Sequence, residues 1–357
     1  MESNNNSQKS FSKIQEEYNN FMIPSYEISI DGKKITDKDF FVTNIKINLS
    51  AKDKAGMANF SVSNCYSSLE KGFSSIVKST LKLGSTVKIS LGYSNKNKEL
   101  FSGYIDSISY EFGDVPQINV NCLDVMVLLM KNIVEERKPL EQTLEQIINN
   151  VLKKYSKFIT SSKIDTLQAT NKQIVQSEDD YNFVKKIAEE NDCDFFAVGD
   201  RVYVYNLKKR KKVAATLFYG ENIIHFSREF QLKKVEVTAY GKNDNSNETI
   251  SESYIYETEY PYAIKGEQVS EKKVIRSPKI DSIDKAKKIA INEAKKLIGS
   301  SYSSSIQCIG IPELIPGRYV ELKDFDKDID GSFYITDANH NFSPGNYTVS
   351  LNISNSE

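Results

Sequence analysis

Between Tyr26 and Met130 apolar and polar positions alternate with a period of two, the pattern of strands that bury one face. Tyr26, Ile28 and Ile30 alternate up to Asp31-Gly32, a pair suited to a tight reversal. Val42 to Leu49 repeats the pattern and Ala58 to Val62 makes a third strand. Val87, Ile89 and Leu91 make a fourth that ends at Gly92-Tyr93. Leu100 to Tyr110 makes a fifth, and Ile118, Val120 and Cys122 a sixth. Short strands separated by turn signals predict a barrel or sandwich.

The period then changes to about 3.6. Pro139 is placed as a first helical residue, and Leu140, Leu144, Ile147, Ile148, Val151, Leu152 and Tyr155 fall on one face. A second helix is expected from Ser177, with Asp180 completing a capping box and Tyr181, Val184, Ile187 and Ala188 inward. Cys193 to Tyr205 reads as a hairpin turning at Gly199-Asp200-Arg201. Strands resume at Leu217–Gly220, Ile223–Phe226 and Val235–Tyr240, before a polar loop from Lys242 to Glu252. A helix from Asp284 to Ile298 turns Ala286, Ile289, Ala290, Ala294 and Leu297 inward and ends on Gly299. The last strands are Ser305–Ile309, Tyr319–Leu322, Phe333–Thr336 and Tyr347–Ile353.

These patterns predict a mainly β, α+β chain: an N-terminal arm (1–22), a first β-barrel domain (23–132), an α+β module (133–212), and a second β-barrel domain with an inserted helix (213–357). The arm is polar, with Phe11, Ile14, Tyr18 and Phe21 as its apolar anchors. It is not expected to order alone and could order against a neighbouring subunit.

Composition sharpens this picture in three places. Among 357 residues there are 20 tyrosines and 18 phenylalanines but no tryptophan, a balance that favours strands. The formal charge of −1 argues against a protein that coats nucleic acid through its overall field. Neither a signal core at the N-terminus nor an apolar run of about 20 residues occurs, so synthesis and solubility in the cytoplasm are expected, with no membrane partner. Cys65, Cys122, Cys193 and Cys308 form no C-x-x-C pair and read as small core residues.

Candidate chemistry is sparse. The only histidines are His225 and His340, and no metalloprotease, nucleophile-elbow, phosphate-loop or dinucleotide motif occurs. His225 lies in Ile223-Ile224-His225-Phe226 and reads as a core or strand residue. His340 follows a strand and is expected to make structural hydrogen bonds. Asp326-Lys327-Asp328-Ile329-Asp330-Gly331 matches the start of a calcium loop, with Asp337 at the twelfth position. Predicted strands flank it where helices belong, so a solvated acidic hairpin tip with positive φ at Gly331 is the preferred reading. Lys208 to Lys212 is one dense basic run. It could meet a phosphate backbone, an acidic partner or a lipid head group, and reads more simply as a solvated linker.

The C-terminal stretch adds a resemblance. Gly310-Ile311-Pro312-Glu313-Leu314-Ile315-Pro316-Gly317-Arg318-Tyr319-Val320, then Gly331-Ser332-Phe333-Tyr334-Ile335, His340 and Gly345-Asn346-Tyr347-Thr348, resembles the closing barrel of the phage late control protein D family. That family groups baseplate hub proteins of contractile tails with the N-terminal part of type VI secretion spikes. Phe101-Ser102-Gly103-Tyr104-Ile105 through Val120-Asn121-Cys122-Leu123-Asp124 resembles the end of its first barrel. Ser177 to Ala188 resembles its E-S-D helix.

The resemblance implies a non-enzymatic hub of a phage, bacteriocin or injection system. A homotrimer with two tube-like barrels per copy would adapt a sixfold tail tube above to a threefold spike below. Neighbouring baseplate proteins would bind outside, and tape-measure protein or DNA would pass through the lumen. No catalytic residue, cofactor or metal is implied. The chain ends at Glu357 without a β-helix, so a separate spike polypeptide is expected. The rival reading is a calcium-dependent, β-rich surface- or glycan-binding protein, resting on the Asp326–Asp337 loop.

Overall fold

A computed structural model describes residues 11–36, 40–52, 55–131, 133–138, 141–167, 174–206, 212–243, 248–257, 270–277, 280–299 and 302–355. Strand predominates over helix, as the alternation predicted. The chain divides into two compact units, one of residues 1–225 with 306–357 and one of residues 226–305.

The first unit opens with helix α1 (Phe11–Glu17), whose Ile14 is fully buried, as is Tyr18 just after it. Tyr18 sits 5.8 Å from the Tyr93 ring and its hydroxyl donates to Glu313 Oε1 at 3.1 Å. The expectation of a neighbouring subunit as the arm's support is therefore corrected for residues 11–22. Two buried side chains, Ile14 and Tyr18, are enough to dock one short helix on its own chain. Met1 to Ser10 lie outside the described residues.

The six predicted strands follow, with small additions. They are β1 (Pro24–Ile30), β2 (Lys33–Lys34), β3 (Phe41–Ser50), β4 (Met57–Ser63), β5 (Tyr66–Ser67), β6 (Gly72–Phe73), β7 (Thr86–Tyr93), β8 (Lys96–Glu111) and β9 (Gln117–Asp124). Ile30 pairs with Lys33 across Asp31 and Gly32, both with positive φ (48° and 76°), the primed turn that a right-twisted hairpin needs. Two short helices went unpredicted, α2 (Ser75–Thr80) and α3 (Val125–Lys131).

The α+β module comprises β10 (Glu136–Arg137), α4 (Leu144–Lys153), β11 (Ser161–Ile164), β12 (Val175–Gln176), α5 (Asp180–Glu190), β13 (Cys193–Val198) and β14 (Arg201–Asn206). Helix α4 starts at Leu144 with a full capping box between Thr143 and Gln146. Pro139 and Leu140 lie outside the described residues. Helix α5 is capped by Asp179, which accepts from Asn182 N at 2.9 Å. Ser177 is thus not the cap; the nearer carboxylate takes the orphan donor. The predicted inward faces of both helices are buried in one core with Phe195, Val202 and Val204 of the hairpin. The hairpin turns on Gly199 (φ 59°) and Asp200.

Strands β15 (Val213–Phe218) and β16 (Ile223–Phe230) lead toward the second unit. That unit holds β17 (Lys234–Lys242), β18 (Thr249–Glu257), β19 (Ser270–Arg276) and helix α6 (Ile283–Gly299). Strand β17 is central, antiparallel to β18 and parallel to β19. Val235, Val237 and Ala239 bury one face against Ala286, Ala290, Ala294 and Ile298, where alanines let helix and sheet approach closely. Strands β18 and β19 were not predicted.

The last strands are β20 (Tyr302–Ile309), β21 (Tyr319–Lys323), β22 (Gly331–Ser343) and β23 (Asn346–Asn355). The main sheet runs β16-β20-β23-β22-β3-β4-β9-β8-β7-β1-β2, and β21 and β15 branch from β22. The C-terminal strands therefore continue the sheet of the N-terminal strands through antiparallel β22–β3 pairing, with His340 opposite Ile47. The turn into β23 is Pro344-Gly345, with Gly345 at φ 79°. Gly331 does not have the expected positive φ; Asp324 takes the left-handed conformation at that tip, at φ 67°.

Candidate functional site

The motif residues of the C-terminal stretch converge on one buried polar clasp. His340 is fully buried on β22. Its Nε2 lies 3.1 Å from the Leu314 carbonyl, which can only accept, so Nε2 carries the proton. Nδ1 is then free to accept from the Tyr347 hydroxyl at 2.8 Å. Burial holds the imidazole neutral and pushes its pKa down to about 3. Gly310 completes the arrangement. Its N–H donates to the Tyr347 carbonyl at 2.8 Å, and a Cβ there would lie 2.2 Å from the Tyr347 ring. Gly310, Leu314, His340 and Tyr347 thus lock the G-x-P-x-L loop onto the β22–β23 hairpin. The structural role expected of His340 holds, within a long strand rather than after one.

Next along this loop, Gly317 turns at φ 79° into β21, and a Cβ there would meet the Phe196 ring at 2.2 Å. Phe196 in turn stacks on Tyr203. Tyr334 donates to Asp194 at 2.7 Å. These contacts bind the C-terminal strands to the hairpin of the α+β module. At the hairpin tip Gly199 N donates to the Leu100 carbonyl (3.0 Å), Asp200 N to Glu99 Oε1 (3.0 Å), and Lys88 Nζ meets Asp200 Oδ2 (2.7 Å).

The carboxylate of the V-x-C-x-D stretch is a second structural device. Asp124 is buried and accepts from Gly56 N (2.7 Å) and Met126 N (2.9 Å), capping α3 and pinning the loop before β4. Burial outweighs these donors and raises its pKa to about 7.

A cleft of about 740 Å³ opens where these elements meet. It is lined by Lys98 and Glu99 of β8, Asp200 and Arg201 of the hairpin, Lys212 to Ala214, and Glu313 and Arg318 of the motif loop. Glu313 Oε1 takes both Tyr18 and Lys98, while its Oε2 is buried with no hydrogen-bond partner among the described residues. This concave, charged site was not foreseen. No single segment supplies it, so no local pattern signals it.

Other predicted residues do not join it. His225 lies on β16 as expected of a strand residue, but exposed rather than in a core. Asp326 and Asp330 use carboxylate oxygens on backbone donors of their own turn, from Asp328 N (3.0 Å) and Phe325 N (3.0 Å). Asp337 lies within β22 and accepts from Thr336 and Asn352. Among the described residues no three His, Cys, Asp or Glu side chains are grouped to hold a metal ion. All four cysteines are free and buried, and burial pushes the Cys308 thiol up to about 12. Of the basic run, Lys208 to Lys211 lie outside the described residues. No helix among the described residues is long and apolar enough to cross a membrane.

Residues 20–344 match the family described as the Alg8 N-terminal domain. No curated protein matches in sequence. Among solved structures the fold is similar to the 43 kDa tail protein of prophage MuSo2 from Shewanella oneidensis, with TM-score 0.72 and 15% identity over 93% of this chain and 98% of that one. It is similar also to a tail protein from Neisseria meningitidis, with TM-score 0.70 and 13% identity over 93% and 97%. A component of the E. coli type VI secretion system, described as structurally similar to T4 tail proteins, aligns with TM-score 0.57 and 13% identity over 91% and 76%. The fold is the one shared by phage tail proteins and the type VI secretion component, in keeping with the resemblance read from the C-terminal motif.

Proposed function

We propose, on the premise that the chain belongs to the Alg8 N-terminal domain family, that it is a structural hub protein in the baseplate of a contractile tail-like particle. The observation that carries this reading is the shared fold: a prophage tail protein and a tail protein from Neisseria meningitidis align over 93% of the chain and nearly all of their own length. A mechanical role also suits the chemistry. Two buried titratable groups of the recognisable motifs, His340 and Asp124, hold loops to the elements beside them. Sheet pairing from β23 through β22 to β3 and onward joins the chain's two ends in one element able to carry load.

In the full reading three copies close into a ring between the tail tube and the spike, inside a virion, bacteriocin or injection system. Neighbouring baseplate proteins bind the ring, and the passing cargo crosses its lumen. Assembly needs no reaction and no cofactor.

The test is the mass of the purified full-length chain in solution, alone and mixed with the tube and spike proteins encoded beside it, together with its detection in purified particles. Three times the 40.5 kDa chain mass is expected, at least in the mixture. A monomer under every condition, absent from particles, would overturn the reading.

A further inference from the structure

The cleft has three features that point to one kind of occupant. First, its positive charge exceeds its internal needs. Glu99 and Asp200 are engaged by Lys88, and Glu313 by Lys98. Arg201 and Arg318 also line the cleft, and no carboxylate among the described residues forms an ion pair with either. Second, a strand edge opens into it. Strand β15 pairs with β21 alone among the described strands. Its first residues, Val213 and Ala214, line the cleft, and Ala214 stands in a bulge without a register partner on β21. Third, Glu313 Oε2 is a buried acceptor with no donor among the described residues. A buried acceptor left unpaired is costly, and an incoming N–H would remove that cost.

We propose that the cleft receives an extended, carboxylate-bearing segment of a partner protein, laid along the open edge of β15 with its acidic side chains on Arg201 and Arg318. A strand edge supplies main-chain hydrogen bonds, and guanidinium groups supply bidentate carboxylate recognition. A nucleic acid fits less well. Glu99, Asp200 and Glu313 share the cleft and repel a uniform polyanion, and a phosphodiester chain has no N–H to give Glu313. The inference does not rest on the hub reading, since edge addition and charge pairing need no ring.

The experiment uses the full-length chain and a fluorescein-labelled peptide that alternates glutamate with threonine, read by anisotropy at low and high salt. Wild type is expected to bind it, more weakly in high salt. The Arg201→Gln/Arg318→Gln double variant is expected to bind about tenfold or more weakly, the loss of two charge-assisted contacts. Neither arginine holds an ion pair among the described residues, so the variant should keep the wild-type melting temperature. Single-stranded DNA and anionic phosphatidylserine vesicles serve as the other arms. Equal peptide binding by wild type and double variant overturns the proposal. So does DNA or vesicle binding as tight as the peptide's, which would mark the cleft as a phosphate site.

Discussion

Replacing His340 with leucine isolates the buried clasp. The imidazole is fully buried and satisfies two polar groups, the Leu314 carbonyl at 3.1 Å and the Tyr347 hydroxyl at 2.8 Å. Leucine fills much of the same volume but bonds to neither. Each orphaned group costs about 1–3 kcal/mol, so the variant should lose about 2–6 kcal/mol of stability near neutral pH.

The pH dependence is the sharper signature. The folded-state pKa of about 3 lies below the ordinary 6.5, so at intermediate pH the unfolded chain binds a proton that the folded chain refuses. This contribution to stability is complete above the ordinary value and is lost as pH falls toward the folded value. From about pH 7 to about pH 5 the wild type should lose about 2 kcal/mol relative to the leucine variant. Asp124 titrates oppositely in both proteins and cancels in the difference. Urea unfolding at several pH values, with midpoints and slopes compared, measures that difference directly. A gap between wild type and variant that does not change with pH would refute the neutral, sequestered imidazole. A loss under about 1 kcal/mol at neutral pH would refute the clasp itself.

Three further outcomes follow from the same structure. Gly317→Ala places a Cβ 2.2 Å from the Phe196 ring on a backbone at φ 79°, and should cost about 2–4 kcal/mol by denaturant midpoint. A neutral result would mean that Phe196 moves freely aside. Asp124 has a folded pKa of about 7, above its ordinary 3.8, so its contribution is present in full below the ordinary value and is lost as pH rises through the folded one. Wild type should therefore lose stability relative to Asp124→Asn across that window, and parallel pH profiles would contradict the burial. Calcium should leave the melting temperature unchanged, because Asp326 and Asp330 already serve backbone donors of their own turn and Asp337 is held by Thr336 and Asn352. A rise of several degrees that saturates with calcium would revive the surface-binding alternative.

Much of the β framework was legible because one buried face imposes a strict period of two; β4 and β9 follow it residue by residue, and β3 does so from Ile45 onward, past a bulge at Val42–Asn44. Helices α4 and α5 showed for the matching reason at period 3.6. What escaped was set by partners distant in sequence. Helix α3 is only seven residues long and exists because Asp124 caps it while Val125, Met126 and Leu129 enter the module's core. Strand β18 alternates with modest apolar residues and is fixed by its pairing with β17, whose own pattern did show. The arm looked too polar to order, yet two buried side chains, Ile14 and Tyr18, suffice once Tyr93 and Glu313 stand ready.

The same contrast separates what the recognisable motif marks from where binding can occur. Gly310, Leu314, Gly317, His340 and Tyr347 are fixed by sterics and buried hydrogen bonds: a glycine beneath a tyrosine ring, another beneath a phenylalanine, a histidine between a carbonyl and a hydroxyl. Such positions tolerate little change whatever the protein binds, so a motif built from them reports fold. The residues free to choose a partner lie on the rim of that framework. Arg318 follows Gly317 directly, and Glu313 precedes Leu314, so each clasp residue sets the direction of a neighbour that faces the cleft. Arg201 is placed by the Gly199-Asp200 turn in the same way. Rigid anchors with charged residues directly beside them let one scaffold keep its shape while the cleft changes its charge. It follows that substitutions at Arg201 and Arg318 should alter what is bound and leave stability intact, whereas those at Gly317 and His340 should do the reverse.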